Sequence, residues 1–315
     1  MEQRIVTIIG GTGFVGRYVV KRLAAAGYTL RVISRHPDNA LHLKTSGSVG
    51  QVVLMAGDIT DPASLAGKIE DSYAVVNLAG VLFEAGSQNF AALHTHGTEK
   101  LAQMAKTAGV PRFIHVSALG VDKASGSKYA RSKMLGEKAV LDAFPAATIL
   151  RPGVIFGPED NFINKFARMA SFLPALPLIG GGRTRFQPVY VGDVAQAVEV
   201  CLARADTMGQ IYELGGPEVL SFRDILRYIL RVTGKKCRLL PIPFAIAPLM
   251  ALKMEIIGKL CPPPMLTRDQ VRLLKYDNIV SSNTHHFASL GIGPTAMEAV
   301  VPEYLARYSK KPHVQ

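Results

Sequence analysis

Short apolar runs alternate with helical patterns over the first half of the chain. Between the runs, apolar residues recur with the spacing of one helix face, as at Val15, Val19, Val20 and Leu23. The runs themselves are rich in β-branched residues, which is typical of parallel strands buried on both faces. They lie at residues 4–9, 29–34, 52–55, 74–78, 112–116 and 147–150. This alternation predicts an α/β fold built on a doubly wound parallel sheet.

The pattern changes beyond residue 157, where strands shorten, prolines and glycines become frequent and helical patterns dominate. We expect a smaller, mainly helical C-terminal lobe there, made of residues 157–185 and 205–315. The first domain then comprises residues 1–156, and residues 186–204 return to it. In that returning segment, Asp193 is expected to cap a helix that runs through Leu202.

Residues 239–266 are almost wholly apolar, with Lys253, Glu255 and Lys259 as their only charged side chains, and they end in three prolines. One interpretation is a core helix of the lobe. The other is an exposed apolar surface that receives a lipid-like substrate, a membrane or a protein partner. The sequence leaves both open.

Three glycines, Gly10, Gly13 and Gly16, lie between the first predicted strand and the first predicted helix. The first permits a tight turn, the second lets a pyrophosphate approach the backbone, and the third lets the helix pack closely on the sheet. The helix N-terminus then offers free N–H groups to the phosphates. The first domain is therefore predicted to be a Rossmann-type dinucleotide-binding domain.

The end of the second strand bears on the choice of cofactor. NAD-binding domains usually place a carboxylate about 20 residues beyond the glycines to bind the ribose 2′-hydroxyl. Here Arg35 occupies that place, with no carboxylate before Asp38. An arginine can pair with a 2′-phosphate, so we favour NADPH over NADH. The alternative is that Arg35 is a solvated charge.

Two later strand ends complete the predicted nucleotide site. Asp58 follows the third strand, where its carboxylate can accept a hydrogen bond from the adenine amino group or cap the next helix. Leu78, Ala79 and Gly80 follow the fourth strand, and small residues here let the cofactor pass close to the backbone.

Tyr129 and Lys133 are candidates for proton transfer. Because they are four residues apart, they share one face of a predicted helix that runs to about residue 144. A lysine ammonium near a phenol lowers its pKa, so Tyr129 can exchange a proton with a carbinol while Lys133 holds the nicotinamide ribose. Ser117, after the fifth strand, is predicted to orient the substrate oxygen. The alternative for the pair is two solvated side chains.

The composition and net charge of the chain limit the classes of partner that we expect it to bind. The chain has 315 residues, of which 48% are apolar and 19% are charged, as in a globular protein. Its net charge of +12 favours an anionic partner: a phosphorylated cofactor, an acidic membrane surface or an acidic protein face. No nucleic acid is expected, because zinc-ligand spacing, aromatic-basic platforms and a basic recognition helix are lacking.

Cysteine content and hydropathy bear on location. Cys201, Cys237 and Cys261 are widely spaced and show no metal-binding pattern, so we expect free thiols and no metal. Because the glycine loop begins ten residues in, we expect no signal or transit peptide. No stretch reaches the roughly 20 apolar residues of a membrane span. We expect a cytoplasmic protein, or one bound peripherally to the cytoplasmic face of the inner membrane.

Together these residues resemble the extended or atypical branch of the short-chain dehydrogenase/reductase superfamily over residues 4 to about 200. The likeness rests on the glycine loop, Asp58, the NLAG segment at 77–80, Ser117, the Tyr129/Lys133 pair and the RPG segment at 151–153. It implies an NAD(P)(H) site. The predicted cofactor-binding set is Gly10, Thr12, Gly13, Phe14, Val15, Gly16, Arg35, Asp58, Ile59, Leu78, Ala79, Gly80, Lys133, Pro152, Gly153 and Val154.

A closer likeness covers nearly the whole chain. The segments DAFP at 142–145, IFGPED at 155–160 with Phe162, QPVYV at 187–191 and TRD at 267–269 resemble the nucleotide-binding accessory subunits of respiratory complex I and their bacterial relatives. This resemblance implies a tightly held NADPH and a position on the peripheral arm beside the membrane. Related branches are associated with ubiquinone biosynthesis.

Two departures from the superfamily pattern bear on catalysis. Active extended members carry Ser or Thr just after the fifth strand, whereas one register here places Ala118 at that position and Ser117 one residue early. Where they commonly have Asn in an N-x-x-G-T turn, this chain has His94, Thr95 and His96 before Gly97. Either histidine is a candidate proton relay, although we favour a helix-surface role for both.

Two hypotheses follow. The first is a complex I-associated subunit whose nucleotide is largely structural. The second is an NADPH-dependent reductase or dehydrogenase of an apolar carbonyl, from the quinone pathway or sterol-like, that uses Tyr129, Lys133 and Ser117. A nucleotide-sugar epimerase or dehydratase is a more distant third.

Overall fold

The apolar runs of the sequence form strands in the computed structural model, which describes residues 4–84, 89–260 and 264–309. In chain order the strands are β1 (Ile5–Ile9), β2 (Thr29–Ser34), β3 (Val52–Ala56), β4 (Ala74–Asn77), β5 (Arg112–Val116), β6 (Thr148–Pro152), β7 (Ile155–Phe156), β8 (Ala175–Ile179), β9 (Arg185–Phe186), β10 (Val189–Tyr190), β11 (Ile211–Leu214), β12 (Leu220–Ser221) and β13 (Arg238–Ile242).

Helices connect these strands and dominate the second half. They are α1 (Phe14–Ala25), α2 (Thr98–Thr107), α3 (Lys128–Ala143), α4 (Ile163–Phe172), α5 (Val191–Ala203), α6 (Phe222–Thr233), α7 (Ala247–Leu260), α8 (Arg268–Leu273) and α9 (Met297–Leu305). A π-helical segment, Ala91–Gly97, runs directly into α2.

The main sheet is parallel and has the strand order β11-β6-β5-β4-β1-β2-β3. The strand order reverses between β1 and β4, where Ile9 of β1 lies opposite Ile33 of β2 on one side and Asn77 of β4 on the other. Ligands of open α/β sheets bind outside the carboxyl ends of the strands at such a reversal. The predicted Rossmann-type α/β fold is confirmed.

Residues 211–214 are a correction to the predicted organisation. They belong to the main sheet and not to the predicted C-terminal lobe (205–315), because as β11 they pair with β6, from Ile211 opposite Ile149 to Leu214 opposite Pro152. The reason is burial: Tyr212, Glu213 and Leu214 are buried, so this short run extends the main sheet. Residues 287–292 are a second correction, because Phe287, Leu290 and Ile292 pack in the core of the main sheet. The rest of the two-part division stays a prediction.

Each face of the sheet packs on its own helices. On one face Val6 and Ile8 of β1 meet α1 and α5 in a core with Val19, Leu23 and Val198. On the other face the strands meet α2 and α3 through Val75, Phe113, Ile149, Leu101 and Val140. The continuous apolar runs predicted this double burial.

The C-terminal lobe has a separate core, formed mainly by α4, α6 and α9. Four phenylalanines pack at its centre, with ring centroids 5.3 to 6.2 Å apart: Phe162, Phe166, Phe186 and Phe222. The parallel strands β8 and β13 form a two-stranded sheet beside this core.

Asp193 does not cap α5 as predicted. The helix begins one turn earlier, and Tyr190 precedes its first residue. Asp193 lies in the first turn, where its carboxylate accepts hydrogen bonds from Thr295 N (2.6 Å) and Thr295 Oγ1 (2.9 Å). A negative charge is favourable at this end of a helix, and here it also fastens residue 295 to α5.

The apolar stretch at 239–266 divides into β13, α7 and the segment before α8. Ala247 and Ala251 of α7 are fully buried, whereas Leu249, Ile256 and Ile257 on another face are 60%, 56% and 61% exposed. One face of α7 therefore lies in a core and another apolar face is exposed, and what the exposed face receives stays a prediction. Cys261, Pro262 and Pro263 lie outside the described residues. None of the helices described here is long and apolar enough to cross a membrane.

Candidate nucleotide and catalytic site

The glycine loop joins β1 to α1 at the strand reversal. Gly10 has a φ of 78°, a conformation that favours glycine, and its carbonyl accepts a hydrogen bond from Gly13 N at 3.1 Å. A Cβ at Gly10 would lie 2.9 Å from Ala79 N, and one at Gly16 would lie 2.4 Å from Gly10 O. The loop thus packs against residues 78–80, and the α1 N-terminus points its free N–H groups outward.

A cation beside this loop was missed in the sequence. Arg17 lies in the first turn of α1, and its Nε is buried without a hydrogen-bond partner among the described residues. Its guanidinium is 3.8 Å from Glu159, a long ion pair. A buried donor with no partner is costly, so a phosphate oxygen is a suitable acceptor for it. Arg17 follows the glycine loop directly, which is the signal that could have identified it.

The ends of β2 and β3 lie beside the glycine loop. Ser34 Oγ is 3.4 Å from Thr12 Oγ1, and the exposed Arg35 follows it. Asp58 Oδ1 accepts hydrogen bonds from Thr60 N and Thr60 Oγ1, both at 2.8 Å, which closes a turn of its own. Asp58 does not cap the next helical turn, Pro62–Leu65, because Asp61 precedes that turn.

Asn77 shapes the loop after β4. Its Oδ1 accepts a hydrogen bond from Ala79 N at 3.1 Å, and its Nδ2 donates to Thr98 Oγ1 and His115 Nδ1, each at 3.2 Å. A Cβ at Gly80 would lie 3.3 Å from Lys133 Nζ. The fold therefore brings the predicted small residues 78–80 to the predicted lysine, across the sheet edge.

Lys133 lies one turn into α3 and is almost fully buried. Its Nζ donates a hydrogen bond to Val116 O, at the carboxyl end of β5, at 3.1 Å. Burial lowers the pKa of Lys133 to about 8, although the nearby Glu137 acts in the opposite direction. The structure thus holds this ammonium between β5 and the 78–80 loop, where a nicotinamide ribose is expected.

Tyr129 is half-buried at the start of α3, with its ring edge-to-face against Phe90 (5.8 Å between centroids) and His94 (5.6 Å). Burial raises its pKa to about 12. The expectation that Lys133 lowers this pKa is wrong for this arrangement, because the ammonium is bound to Val116 O and burial dominates at the phenol. As arranged, Tyr129 is a protonated phenol at neutral pH.

Ser117 directly follows β5 and is only 5% exposed. Its backbone N donates to Leu150 O at 2.8 Å, but no hydrogen bond reaches its Oγ from the part of the chain that the structure describes. A buried hydroxyl without a partner costs about 1–3 kcal/mol. A ligand oxygen is a suitable partner for it, which fits the predicted role of Ser117. Ala118 packs instead in a small apolar cluster around Val121.

His94 is a buried residue whose position differs from the sequence-based expectation. Expected at a helix surface, it is only 1% exposed, whereas His96 is exposed as expected. His94 Nε2 accepts from Val81 N at 3.1 Å, and Nδ1 lies 2.9 Å from Ser132 Oγ. Burial, and to a lesser extent Lys133, lower its pKa to about 3. Phe90, Leu93 and Leu101 are buried and recur near His94 with helical spacing, which is a sequence signal for its burial but not for its partners.

The loop after β6 is largely engaged by the protein itself. Gly153 N donates to Leu214 O at 2.9 Å, and Val154 N donates to Asn278 Oδ1 at 3.1 Å. Arg151 pairs with the carboxylate of Glu137 through two hydrogen bonds to Oε2 and one to Oε1. Pro152 is buried and Gly153 and Val154 are half-buried, and the cofactor contacts of all three stay a prediction.

Neither a metal nor a reactive thiol is suggested here. No group of three His, Cys, Asp or Glu residues within the described ranges is arranged to hold a metal ion. Cys201 is buried, and burial raises its pKa to about 12; Cys237 is half-buried. Tyr129, Lys133 and Ser117 stay the predicted catalytic residues. The glycine cradle, Arg17 Nε and Ser117 Oγ all fit a nucleotide.

Comparison with known proteins agrees with this geometry. The model of the NAD dependent epimerase/dehydratase family matches residues 6–215. The chain is 37% identical to the mitochondrial NADH dehydrogenase [ubiquinone] 1 alpha subcomplex subunit 9 of Arabidopsis thaliana, over 97% of this chain and 78% of that protein. The Mus musculus subunit of the same name is 34% identical, over 96% and 80%. A ceramide reductase of Caulobacter vibrioides is 32% identical, over 76% and 74%.

Solved structures show the same fold. The NADPH-dependent quinone oxidoreductase QOR2 of Escherichia coli, complexed with NADPH, has a TM-score of 0.72 at 21% identity, covering 96% of this chain and 99% of that one. MoeE5, in complex with UDP-glucose and NAD, has a TM-score of 0.71 at 18% identity, covering 96% and 98%. Both NAD and NADPH thus occur among proteins of this fold.

Proposed function

The chain belongs to the NAD dependent epimerase/dehydratase family and is similar over almost its whole length to the alpha subcomplex subunit 9 of NADH dehydrogenase [ubiquinone]. On that premise we propose that it is an NADP(H)-binding subunit associated with respiratory complex I. The observation that carries this proposal is the extent of the similarity. It spans 96–97% of the chain and so includes the C-terminal lobe, not the nucleotide-binding part alone.

NADPH is the proposed nucleotide, with NADH the less favoured alternative. Arg35 directly follows Ser34, the last residue of β2, and Ser34 contacts Thr12 of the glycine loop. A guanidinium there favours a 2′-phosphate, whereas a carboxylate would repel it. Bound NADPH supplies a hydride; the chain supplies the cradle, the ribose contact at Lys133 and a phenol at Tyr129.

We propose that this nucleotide is tightly held and largely structural. Lys133 is bound to a backbone carbonyl, and the pKa of Tyr129 is raised to about 12, so the phenol is a poor proton acceptor at neutral pH. A ligand that binds only the folded chain stabilises it by about 4 kcal/mol at a thousand times its dissociation constant.

The C-terminal lobe is the proposed contact with complex I, beside the membrane. Leu249, Ile256 and Ile257 present an exposed apolar face on α7, and Lys253 of the same helix is exposed among them. Isolated exposed apolar residues are ordinary, but several on one helix face favour a docking surface. The net charge of +12 favours an anionic partner or membrane surface. The proposal puts the protein peripherally on the cytoplasmic face of the inner membrane.

The test has a nucleotide arm and a partner arm. Denaturation of the purified full chain is expected to release about one NADPH per chain, and the bound NADPH of the native chain is expected to exchange over hours. Exchange within seconds, or release of NADH in its place, contradicts a structural NADPH.

For the partner arm, the I256S/I257S variant is expected to keep its nucleotide and its fold but to lose co-migration with complex I and membranes. L41S is the control, since Leu41 is a comparably exposed residue (55%) of the first domain. A wild-type chain that never co-migrates overturns the association.

A second candidate is an NADPH-dependent reductase or dehydrogenase of an apolar carbonyl, of quinone-pathway or sterol-like type. The observation that favours it is the unpartnered, buried Ser117 Oγ, which suits a substrate oxygen beside Tyr129 and Lys133. The similarity to a ceramide reductase is consistent with a lipid-like substrate. This candidate is contradicted if expression of the Tyr129→Phe variant restores every phenotype of a deletion strain. A nucleotide-sugar epimerase or dehydratase remains a more distant third, because the lobe is basic and apolar.

A further inference from the structure

We infer that Asp269, on the short helix α8 of the C-terminal lobe, is a positioning residue that holds Tyr129 and the first turn of α3 against the nicotinamide end of the bound nucleotide. The inference rests on the proposed NADP(H) site. It adds to that site a residue that contacts neither the glycine loop nor Lys133, and that acts through the α3 backbone.

The Asp269 carboxylate receives three hydrogen bonds from three consecutive residues. Ser127 Oγ donates to Oδ2 at 2.7 Å, Lys128 N to Oδ1 at 2.8 Å, and Tyr129 N to Oδ2 at 3.0 Å. Ser127 Oγ in turn accepts from Ala130 N at 3.2 Å. The free N–H groups of the first turn of α3 are therefore satisfied by one carboxylate and one hydroxyl. The negative charge also lies at the positive end of a sixteen-residue helix.

The start of α8, which carries the Asp269 carboxylate, is held by hydrogen bonds of its own. Thr267 and Gln270 form a capping box at the start of α8. Glu255 of α7 accepts hydrogen bonds from Arg268 N at 2.7 Å and from Arg268 Nε at 2.8 Å. The remaining charged neighbour is Arg272, whose guanidinium is 3.8 Å from Asp269 Oδ1 and half exposed. Glu255 thus holds the first residue of α8, and the next residue, Asp269, holds the backbone of Tyr129.

This arrangement predicts an effect at one end of the nucleotide only. Tyr129 and Lys133 face the nicotinamide and its ribose, whereas the adenine end is expected at the glycine loop, Arg35 and Asp58. Loss of the carboxylate leaves Lys128 N and Tyr129 N unpaired, so the first turn of α3 frays and the phenol loses its place. The glycine loop lies on another helix and keeps its geometry.

The experiment compares two ligands on the full-length protein: NADPH, and 2′-phospho-ADP-ribose, which lacks the nicotinamide. Asp269→Asn presents a single oxygen acceptor and an amide that opposes the backbone N–H groups. We expect NADPH to dissociate about tenfold faster from this variant than from the wild type, because a tenfold change corresponds to the loss of about one charge-assisted hydrogen bond. The affinity for 2′-phospho-ADP-ribose is expected to stay that of the wild type. Asp269→Glu, which keeps the charge, is expected to recover part of the slow release.

Asp224→Asn is the matched control, because Asp224 is also a lobe carboxylate in the first turn of a helix, α6, and accepts a hydrogen bond from the N-cap Ser221. It is expected to leave both ligands unaffected. Equal NADPH release from Asp269→Asn and the wild type overturns the inference. So does an equal loss of affinity for both ligands, which indicates a merely structural role.

Failure of the proposed function has a different signature, namely a wild-type chain that binds no NADPH. Hydrogen exchange of the α3 amides then decides the inference without a nucleotide. Faster exchange in Asp269→Asn that is confined to Lys128, Tyr129 and Ala130 supports it, and unchanged exchange at those three amides overturns it.

Discussion

The buried imidazole of His94 determines the direction of several hydrogen bonds around the candidate site. Because Val81 N–H can only donate, His94 Nε2 must accept, which leaves the ring proton on Nδ1. Nδ1 then donates to Ser132 Oγ, and Ser132 Oγ donates to Tyr129 O at 2.8 Å. This order of donors exists only for neutral His94. A second ring proton would oppose Val81 N–H and release the loop that leads away from Gly80.

His94 is therefore expected to make stability depend on pH. The folded state lowers its pKa to about 3, from an ordinary value near 6.5. Between these values the unfolded chain binds a proton that the folded chain does not, so the free energy of unfolding falls as the pH falls. From pH 7 to pH 5 the wild type should lose about 2 kcal/mol more than His94→Gln, measured by urea denaturation at both pH values.

The control for this prediction is His96→Gln, since His96 is exposed. His115 is also buried with a lowered pKa, but it is present in every variant and cancels in the comparison. Parallel pH profiles for the wild type and His94→Gln would mean that His94 is already protonated, or solvated, near pH 5.

What the sequence predicts at this scale depends on how local the role is. Gly10 and Gly16 were identified because a tight turn and a helix packed on its own strand involve neighbouring residues. His94 was not, because its partners are 13 and 38 residues away in the chain. Asp269 lies about 140 residues from the three donors that it holds. The motif around it was noted, but no spacing rule connects the two.

At the scale of elements, His94 lies in the π-helical segment Ala91–Gly97 and is one of its buried residues. Such wide turns often occur at functional sites. Two glycines make room for it: a Cβ at Gly97 would lie 2.6 Å from Ile59 O, and one at Gly136 would lie 2.0 Å from His94 O. The segment is thus clamped between the backbone after β3 and α3. Sequence periodicity predicted a helix here but not its widened turn.

Gly136→Ala should reveal this clamp. In an open helix position the change stabilises by about 1 kcal/mol, because alanine has the higher helix propensity. Here the new methyl group meets a backbone carbonyl that cannot rotate away, so we expect a net loss of about 3 kcal/mol in the free energy of unfolding. Urea denaturation measures it.

Gly126→Ala provides the comparison, because no atom lies within 4 Å of a Cβ at Gly126. It should change the free energy of unfolding by less than about 0.5 kcal/mol. A Gly136→Ala chain as stable as the wild type would show that the π-helical segment moves freely, and that it does not hold His94 in place.

Short and two-sided elements were the hardest to predict. The four residues of β11 are too few to show a period, and only their pairing with β6 assigns them to the main sheet. α7 was ambiguous for a different reason. Both of its faces are apolar, so hydropathy cannot distinguish the face with buried Ala247 and Ala251 from the face with exposed Leu249 and Ile256.

At the scale of the whole molecule, the segment after α8 joins the lobe to the main sheet. Asn278 donates to Leu119 O at 2.9 Å and accepts from Val154 N at 3.1 Å. Glu213 of β11 accepts from Ser281 N at 2.7 Å, and its own N donates to His285 O at 2.8 Å. Phe287, Leu290 and Ile292 then enter the core against α5, before the chain returns to the lobe as α9.

These connections predict that the whole chain unfolds in one transition, although the sequence suggested two parts. A lobe that unfolded alone would strip Phe287 and Leu290 from the core of the first domain and leave Val154 N–H and Leu119 C=O unpaired. That cost, several kcal/mol, is comparable with the stability of a domain. Scanning calorimetry of the nucleotide-loaded chain should give equal calorimetric and van't Hoff enthalpies.

Asn278→Ala distinguishes a joined molecule from two independent parts. It removes one donor and one acceptor between the halves, and we expect it to lower the free energy of unfolding by about 2–3 kcal/mol. Because the halves are coupled, the whole transition should move to lower temperature without splitting. Asn39→Ala, at an exposed position in the first domain, should leave it unmoved. Two resolved transitions in the wild type, with only the earlier one sensitive to Asn278→Ala, would mean that the lobe folds independently of the sheet.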